Sequence, residues 1–174
     1  MKARVIVTMD CPRNCENCCN KEEVFNNHRV ITDIKELLKY DEVMITGGEP
    51  MLIPEKVLEF IHQLRTVHGY QSNIYLYSAL YNSTYMYDVL SNINGIHYTL
   101  HYEATDKDVF AVKIMSEIIK NYPNVLSRLA IDSRLYDRYD FSNIDFTGWD
   151  VVRKLKWLVN CPLPKNEELL IYKL

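Results

Sequence analysis

Strand-like runs that alternate with helical runs are the sequence feature that most constrains the fold of this chain. Short apolar runs are each followed by a loop and then by apolar residues at helical spacing. This alternation predicts a parallel sheet with right-handed crossovers, and a ligand site beyond the carboxyl ends of its strands. The predicted strands are 3–9, 42–46, 73–79, 96–102, 128–132 and 151–157, and helices are predicted to begin near Ile34, Pro54, Thr84 and Thr105.

The composition places the chain among globular proteins. Its 174 residues are 48% hydrophobic, which is enough for a real core and excludes global disorder. The 20 basic and 23 acidic side chains leave a net charge of -3, which argues against binding to nucleic-acid phosphates. No apolar run approaches the ~18 residues of a membrane span, and residues 1–4 show no signal-peptide pattern. We therefore expect a single cytoplasmic domain over residues 1–174.

The cysteines are bunched near one end of the chain. Four of the five occur close together, as Cys11, Cys15, Cys18 and Cys19, whereas Cys161 lies near the other end. A disulfide framework spreads its cysteines through the chain, so this spacing in a reducing compartment indicates metal binding or catalysis. The spacing of Cys11, Cys15 and Cys18 allows their thiolates to face a common point on one tight loop.

Two kinds of metal centre are compatible with this loop, residues 10–20. Structural zinc takes four ligands, and the fourth would have to be Cys19, His28 or the distant Cys161. A [4Fe–4S] cluster can be held by three thiolates, which leaves one iron open for chemistry. The ligand count favours the iron–sulfur cluster, and zinc stays an alternative.

A second motif follows the second predicted strand, at the same edge of the predicted sheet. Gly47 and Gly48 lack a Cβ, so the backbone there can approach a ligand closely. Glu49 offers a carboxylate to a cationic group, and Pro50 stiffens the turn. Beside a cluster with an open iron, this turn is suited to hold an amino acid moiety whose ammonium group faces Glu49. An ordinary strand-to-helix turn is the alternative.

The two motifs resemble those of radical S-adenosylmethionine (radical SAM) enzymes. Cys11, Cys15 and Cys18 fit the CxxxCxxC pattern of that family, and the turn at 47–50 fits its GGEP motif. The resemblance covers residues 1–105, while the C-terminal part, 135–174, diverges. It implies an abridged α/β fold, a partial (β/α)6 TIM-like barrel with a parallel sheet. It also implies an oxygen-sensitive oxidoreductase in which the three cysteines hold a [4Fe–4S] cluster. Such an enzyme cleaves S-adenosylmethionine (SAM) to a 5′-deoxyadenosyl radical that abstracts hydrogen from a substrate.

By the same resemblance, the GGEP turn binds SAM, with Glu49 at the SAM amine. Ser78 lies near the end of the third predicted strand, where it is placed to reach the SAM ribose or carboxylate; a hydroxyl that only faces the turn is the alternative. His101 and Glu103 end the fourth predicted strand on the same edge, where they either contact SAM or substrate or form a solvated strand end. The residue before the last cluster cysteine is often aromatic in this family and packs on the adenine, but here it is Asn17. Contacts to the adenine therefore have to come from elsewhere.

The sequence leaves the substrate open. Few residues remain for a lid, so a macromolecular partner or a second copy of the chain, as in a homodimer, is expected to cover the site. The leading prediction is a radical SAM enzyme for a small molecule or a peptide, with flavodoxin or ferredoxin as electron donor. One alternative is an activase of a glycyl radical enzyme, because residues 18–21 resemble the activases of anaerobic ribonucleotide reductase. The other is a non-enzymatic iron–sulfur or zinc module.

Several other residues receive structural interpretations. Tyr75 and Tyr77 alternate with apolar neighbours, which suits a half-buried strand; the alternative is that they line the mouth of the active site and stack on a planar substrate or a peptide. Arg134 is expected to form a surface pair with a neighbouring acid, and a fork that holds a carboxylate is the alternative. No role is assigned to Cys19 and Cys161. Structural or surface positions are expected for the histidines that lack metal-ligand spacing, which are His28, His62, His68 and His97.

Overall fold

Eight strands form one open sheet among the residues that the computed structural model describes, which are 1–16, 18, 21, 28–156 and 163–174. The strands are β1 (Lys2–Thr8), β2 (Arg29–Val30), β3 (Glu42–Gly47), β4 (Asn73–Ser78), β5 (Gly95–Leu100), β6 (Leu126–Asp132), β7 (Val151–Leu155) and β8 (Glu167–Ile171). Their order across the sheet is β2-β8-β1-β3-β4-β5-β6-β7, and every pair is parallel.

Six of these strands, β1 and β3 to β7, lie side by side in the sheet in the same order as in the sequence. A partial (β/α)6 barrel requires this order. The predicted α/β class with a parallel sheet is therefore confirmed. The sequence prediction omits β8, which pairs with the outer side of β1, and β2, which pairs with β8. β2 has only two residues, and β8 shows no alternation of polar and apolar residues, so neither carries a recognisable strand pattern. The sixth predicted strand ends earlier than expected, at Leu155, and residues 157–162 lie outside the described part of the chain.

The α-helices of the described part lie where apolar residues at helical spacing predict them. They are α1 (Pro54–His62), α2 (Met86–Asn92) and α3 (Asp106–Ile119). The element predicted from Ile34 is a 3-10 helix rather than an α-helix, and α1 continues as a π-helical turn. None of the helices in the described residues is long and apolar enough to cross a membrane. The remaining helical segments are the 3-10 helices Ile34–Lys39, Pro50–Leu52 and Ser133–Asp137 and the π-helical turn Gln63–Val67.

The two faces of the sheet differ in what covers them. The helix-covered face carries apolar side chains such as Val5 and Leu76, which are fully buried in one core with the helices. The opposite face, here called the open face, carries Tyr77, His97 and Arg128. These three residues are register partners across β4, β5 and β6, and register partners in a sheet point to the same face. The open face borders the site described next.

Candidate functional site

A cavity of about 450 Å³ lies at the carboxyl ends of the central strands and along the open face. The cysteine loop that follows β1 and the glycine turn that ends β3 both reach it. Pro50 is buried behind this turn, at the start of a 3-10 helix. The structure therefore brings the two sequence motifs together at one cavity. The other predicted site residues all line it, and they are Cys11, Cys15, Cys18, Gly47, Gly48, Glu49, Ser78 and His101.

The glycine turn is packed directly against the start of the cysteine loop. Gly48 N donates a hydrogen bond to Thr8 O at 2.6 Å, and Glu49 N donates one to Asp10 O at 2.8 Å. Gly47 has a φ of +136°, a conformation that side chains rarely allow. A Cβ at Gly48 would overlap the carbonyl oxygen of Asp10. Both glycines are therefore required for the close approach of the two loops.

Glu49 is only 2% exposed, and its carboxylate accepts three hydrogen bonds. Oε1 accepts from Ser78 Oγ at 2.6 Å and from Met51 N at 3.0 Å, and Oε2 accepts from Ala79 N at 2.8 Å. Burial raises the pKa of Glu49 above its ordinary value, against the effect of these donors. A carboxylate has about four acceptor positions, so one is left for a cation. The Ser78 hydroxyl is engaged with Glu49, and its contact with SAM stays a prediction.

The cysteine loop is anchored by Arg13, whose side chain is 9% exposed. Its Nη2 donates to Asp108 Oδ1 at 2.6 Å and to Ala79 O at 2.7 Å. Asp108 lies in the first turn of α3, where its Oδ2 also accepts from Thr105 N at 2.8 Å. One guanidinium thus ties the loop both to the end of β4 and to the start of α3.

Glu103 forms a second anchor on the same loop. Its Oε1 accepts from Glu16 N at 2.9 Å, and its carboxylate also accepts from the thiol of Cys15. Burial, and then the Glu103 carboxylate, raise the pKa of Cys15 to about 12, and burial also raises the pKa of Cys11. Both side chains are therefore thiols near neutral pH in the metal-free protein. Metal binding has to displace their protons.

The donor set at this cavity fits an iron–sulfur cluster. Within the described part of the chain, no group of three or more His, Cys, Asp or Glu side chains is arranged to hold one metal ion. Thiolates that hold a [4Fe–4S] cluster each bind a different iron, so they surround a space and do not meet at one point. Cys11, Cys15 and Cys18 all line one cavity. A cluster held by these three thiolates is compatible with the residues present.

Comparison with known families agrees with this donor set. The family model described as a 4Fe-4S single cluster domain matches residues 2–102, which is more than half of the chain. The chain belongs to this family. The domain is found in radical SAM proteins. A comparison with curated proteins gives no match. The iron–sulfur prediction is therefore confirmed at the level of the domain.

The 4Fe-4S single cluster domain has a polar cavity wall that the sequence prediction missed. His97, interpreted from sequence as structural or surface, lines the cavity, and its ring stacks on Tyr77 with centroids 4.9 Å apart and planes at 16°. The Arg4 guanidinium lies 5.0 Å from the Tyr77 ring centroid on the same wall. His97, Thr99 and His101 alternate along β5 and all line the cavity. This alternation is visible in the sequence and indicates that the three side chains share one face of the strand, because alternate residues of a strand point to the same side.

The two histidines of this wall are neutral near pH 7. Burial lowers the pKa of His97 to about 4, and the nearby guanidiniums of Arg128, Arg153 and Arg4 act in the same direction. Burial and Arg13 lower the pKa of His101 to about 4 as well. Neutral imidazoles can donate or accept a hydrogen bond without adding charge to the cavity.

Arg134 borders the cavity and pairs with an acid, as the sequence predicts. Its Nη2 lies 2.8 Å from Asp132 Oδ2, and its guanidinium lies 4.0 Å from the ring centroid of Tyr102. The Arg134 side chain is 41% exposed whereas Asp132 is buried, so the pair reaches the surface only on the side of the arginine. Three residues discussed from sequence lie outside the described part of the chain, namely Asn17, Cys19 and Cys161.

Proposed function

We propose that this protein is a radical SAM enzyme. The supporting observation is that the three cysteine thiols and the glycine turn with Glu49 line the same cavity. Membership of a family whose domain is found in radical SAM proteins supports the same function. The chemistry that a [4Fe–4S] cluster supplies in such proteins is the reductive cleavage of SAM to methionine and a 5′-deoxyadenosyl radical.

In this proposal the chain holds and orients the reacting groups. Cys11, Cys15 and Cys18 are the cluster ligands, and the thiols of Cys11 and Cys15 give up their protons when the cluster binds. Arg13 and Glu103 fix the loop against the sheet before the cluster is present, which lowers the entropy lost on binding.

The glycine turn is proposed to bind the amino acid moiety of SAM. Glu49 has one acceptor position left after its bonds to Ser78, Met51 and Ala79, and the SAM ammonium would take it. Ser78 holds this carboxylate in place through its hydroxyl. His101, neutral and on the same edge, is proposed to face SAM or the substrate.

The function is tested by anaerobic reconstitution with iron and sulfide, followed by addition of SAM and dithionite. We expect close to four irons and four sulfides per chain for a [4Fe–4S] cluster, and formation of 5′-deoxyadenosine. We also expect 5′-deoxyadenosine to form when reduced flavodoxin or ferredoxin, the physiological type of electron donor, is used in place of dithionite. Zinc in place of iron, or a full cluster with no 5′-deoxyadenosine, would show that the proposal is wrong.

Glu49→Gln tests the SAM contact without removing the side chain. The amide has one acceptor oxygen in place of two and lacks the negative charge, so we expect SAM to bind about tenfold more weakly. Iron content should stay at the wild-type level, because Glu49 is not a cluster ligand in this proposal. Loss of iron from this variant would contradict the role given to Glu49. The matched control is Glu55→Gln on α1, where the carboxylate binds Tyr85 away from the cavity.

The open sheet favours a second candidate, an activase of a glycyl radical enzyme. A sheet that does not close leaves the cavity to be covered by a partner protein or by a second copy of the chain. A glycyl radical on a co-purified partner after reaction with SAM and dithionite, detected by electron paramagnetic resonance, would support this candidate. A purified chain that turns over a small molecule alone would exclude it.

A further inference from the structure

The arginines around the cavity differ in whether a carboxylate neutralises them. Arg4 Nη2 lies 2.7 Å from Glu167 Oε2, and Arg13 and Arg134 pair with acids as described above. Arg128 and Arg153 form no ion pair with any residue in the described part of the chain. The open face therefore carries two guanidiniums whose charge the described residues do not balance.

Arg128 is the more informative of the two. Its Nε is buried and has no hydrogen-bond partner among the described residues. A buried charged donor without a partner is unfavourable, because burial removes its water and nothing replaces it. Guanidinium groups offer paired donors that match the oxygens of a carboxylate or a phosphate. The side chain is therefore suited to an anionic ligand.

Arg128 and Arg153 do not line the cavity themselves, but they lie on β6 and β7, on the open face next to its wall. Arg128 is the register partner of His97, which lines the cavity, and Arg153 is the register partner of Ala130 on the next strand. Both guanidiniums lie close enough to His97 to oppose its protonation. The chain as a whole is acidic, with a net charge of -3, so a basic wall at this one place is a local feature.

We propose that the open face binds a small substrate through an anionic group, a carboxylate or a phosphate, held by Arg128 and Arg153 beside the Tyr77–His97 pair. This inference rests on the proposed function, since it assigns a substrate class to the same cavity. The Tyr77 ring already contacts Arg4 and His97. We therefore expect this wall to recognise the anionic group of the substrate, and not a substrate ring stacked on Tyr77. Neutral His97 leaves the positive charge with the two guanidiniums.

The test uses reconstituted protein and three aromatic probes of similar size, namely benzoate, phenyl phosphate and neutral benzamide. Binding is followed by ligand-observed NMR, and the histidine ring signals of labelled protein locate it at His97. We expect at least one anion to bind saturably and to shift the His97 signals, and benzamide not to do so. The tighter of the two anions identifies the substrate group as carboxylate or phosphate.

Variants assign the binding to the proposed residues. Arg128→Gln should weaken the bound anion about tenfold or more, as expected for loss of a charge-assisted pair. Arg128→Lys keeps the charge without the paired donors and should give an intermediate affinity. If Arg128→Gln does not fold, Arg128→Lys serves as the test variant. Lys113→Gln on α3 removes one exposed charge elsewhere and should bind like the wild type. Equal affinity in wild type and both Arg128 variants overturns the proposal.

Anion binding is measured without SAM or reductant, so it is independent of the proposed reaction. Saturable anion binding without any 5′-deoxyadenosine formation would contradict the radical SAM function and support only the anion site. Formation of 5′-deoxyadenosine without anion binding would contradict only the proposed substrate class. It would favour a peptide or a partner protein as the substrate. Each result therefore identifies which of the two proposals fails.

Discussion

The helix-covered face and the open face are built from the same strands, yet their side chains differ in polarity. Leu76 and Tyr77 are adjacent in β4; Leu76 is fully buried against the helices, whereas Tyr77 lines the cavity. On the helix-covered face the buried side chains pack together in one apolar core. On the other, partial burial is combined with arginines, histidines and hydroxyls. The difference indicates that stability depends mainly on the first face, while ligand chemistry depends on the second.

Substitution of Leu76 by Ala should have the largest effect on stability. The side chain is 0% exposed, and loss of a buried leucine typically costs about 2–5 kcal/mol through lost burial and the cavity left behind. Tyr77→Phe, one residue along and on the open face, should change the free energy of unfolding by less than about 1 kcal/mol. Urea unfolding of the metal-free variants measures both. Similar losses in the two variants would show that the faces do not differ as described.

Gly48→Ala should come next, because it affects the point where the two loops meet. The added Cβ would overlap the carbonyl of Asp10, so the glycine turn and the cysteine loop have to move apart. We expect a loss of about 1–3 kcal/mol in the free energy of unfolding and reduced iron content after reconstitution. Gly69→Ala is the control, since its φ of +66° brings strain but no atom lies near its Cβ. Reduced iron in the control would show that general destabilisation is the cause.

Arg13→Gln tests the anchor of the cysteine loop. The change removes the partly buried pair with Asp108, and we expect a loss of about 2 kcal/mol in the free energy of unfolding together with lower iron content. Lys120→Gln removes an exposed pair with Asp145 and should leave iron content unchanged. Full iron loading of Arg13→Gln at wild-type rates would contradict the anchoring role. The comparison separates an ion pair that serves the site from one that does not.

The sequence predicts those features that have a local pattern. Strands of a parallel sheet appear as apolar runs, and both motifs are short and follow such runs, so the sheet and the shared edge are predictable. The family motif further predicts Cys11, Cys15 and Cys18 as the cluster ligands. Arg13 has no such local signal, because its partners Ala79 and Asp108 are 66 and 95 residues away in the chain. Its role depends on the folded arrangement of three elements.

The open face was predictable only in part. Alternation in β4 and β5 places Tyr77 and His97 on one face, but alternation alone does not distinguish a cavity wall from a solvated surface. The distinction depends on residues 163–169, which lead into β8 and carry no strand pattern in the sequence. Leu163, Pro164 and Leu169 line the cavity, and Glu167 neutralises Arg4. Strand β8 returns to β1 from the far end of the chain. Such a long-range pairing leaves no periodic signal in either segment.

The smallest expected effect is a pH dependence of stability that comes from the open face. His97 has a pKa of about 4 in the folded protein against an ordinary value of 6.5, so the unfolded chain binds more protons between these values. The stabilising contribution is complete above pH 6.5 and decreases as the pH falls towards 4. Between pH 7 and pH 5.5 this residue should account for a loss of about 1 kcal/mol.

His97→Gln should remove this part of the pH dependence, because glutamine does not titrate. Urea unfolding of the metal-free proteins at pH 7 and pH 5.5 measures the difference, and His62→Gln on the exposed side of α1 is the matched control. We expect the control to keep the wild-type slope. An equal slope in the wild type and in His97→Gln would mean that His97 is protonated as readily as an exposed histidine. The guanidiniums of the open face would then lie too far from His97 to form one basic wall with it.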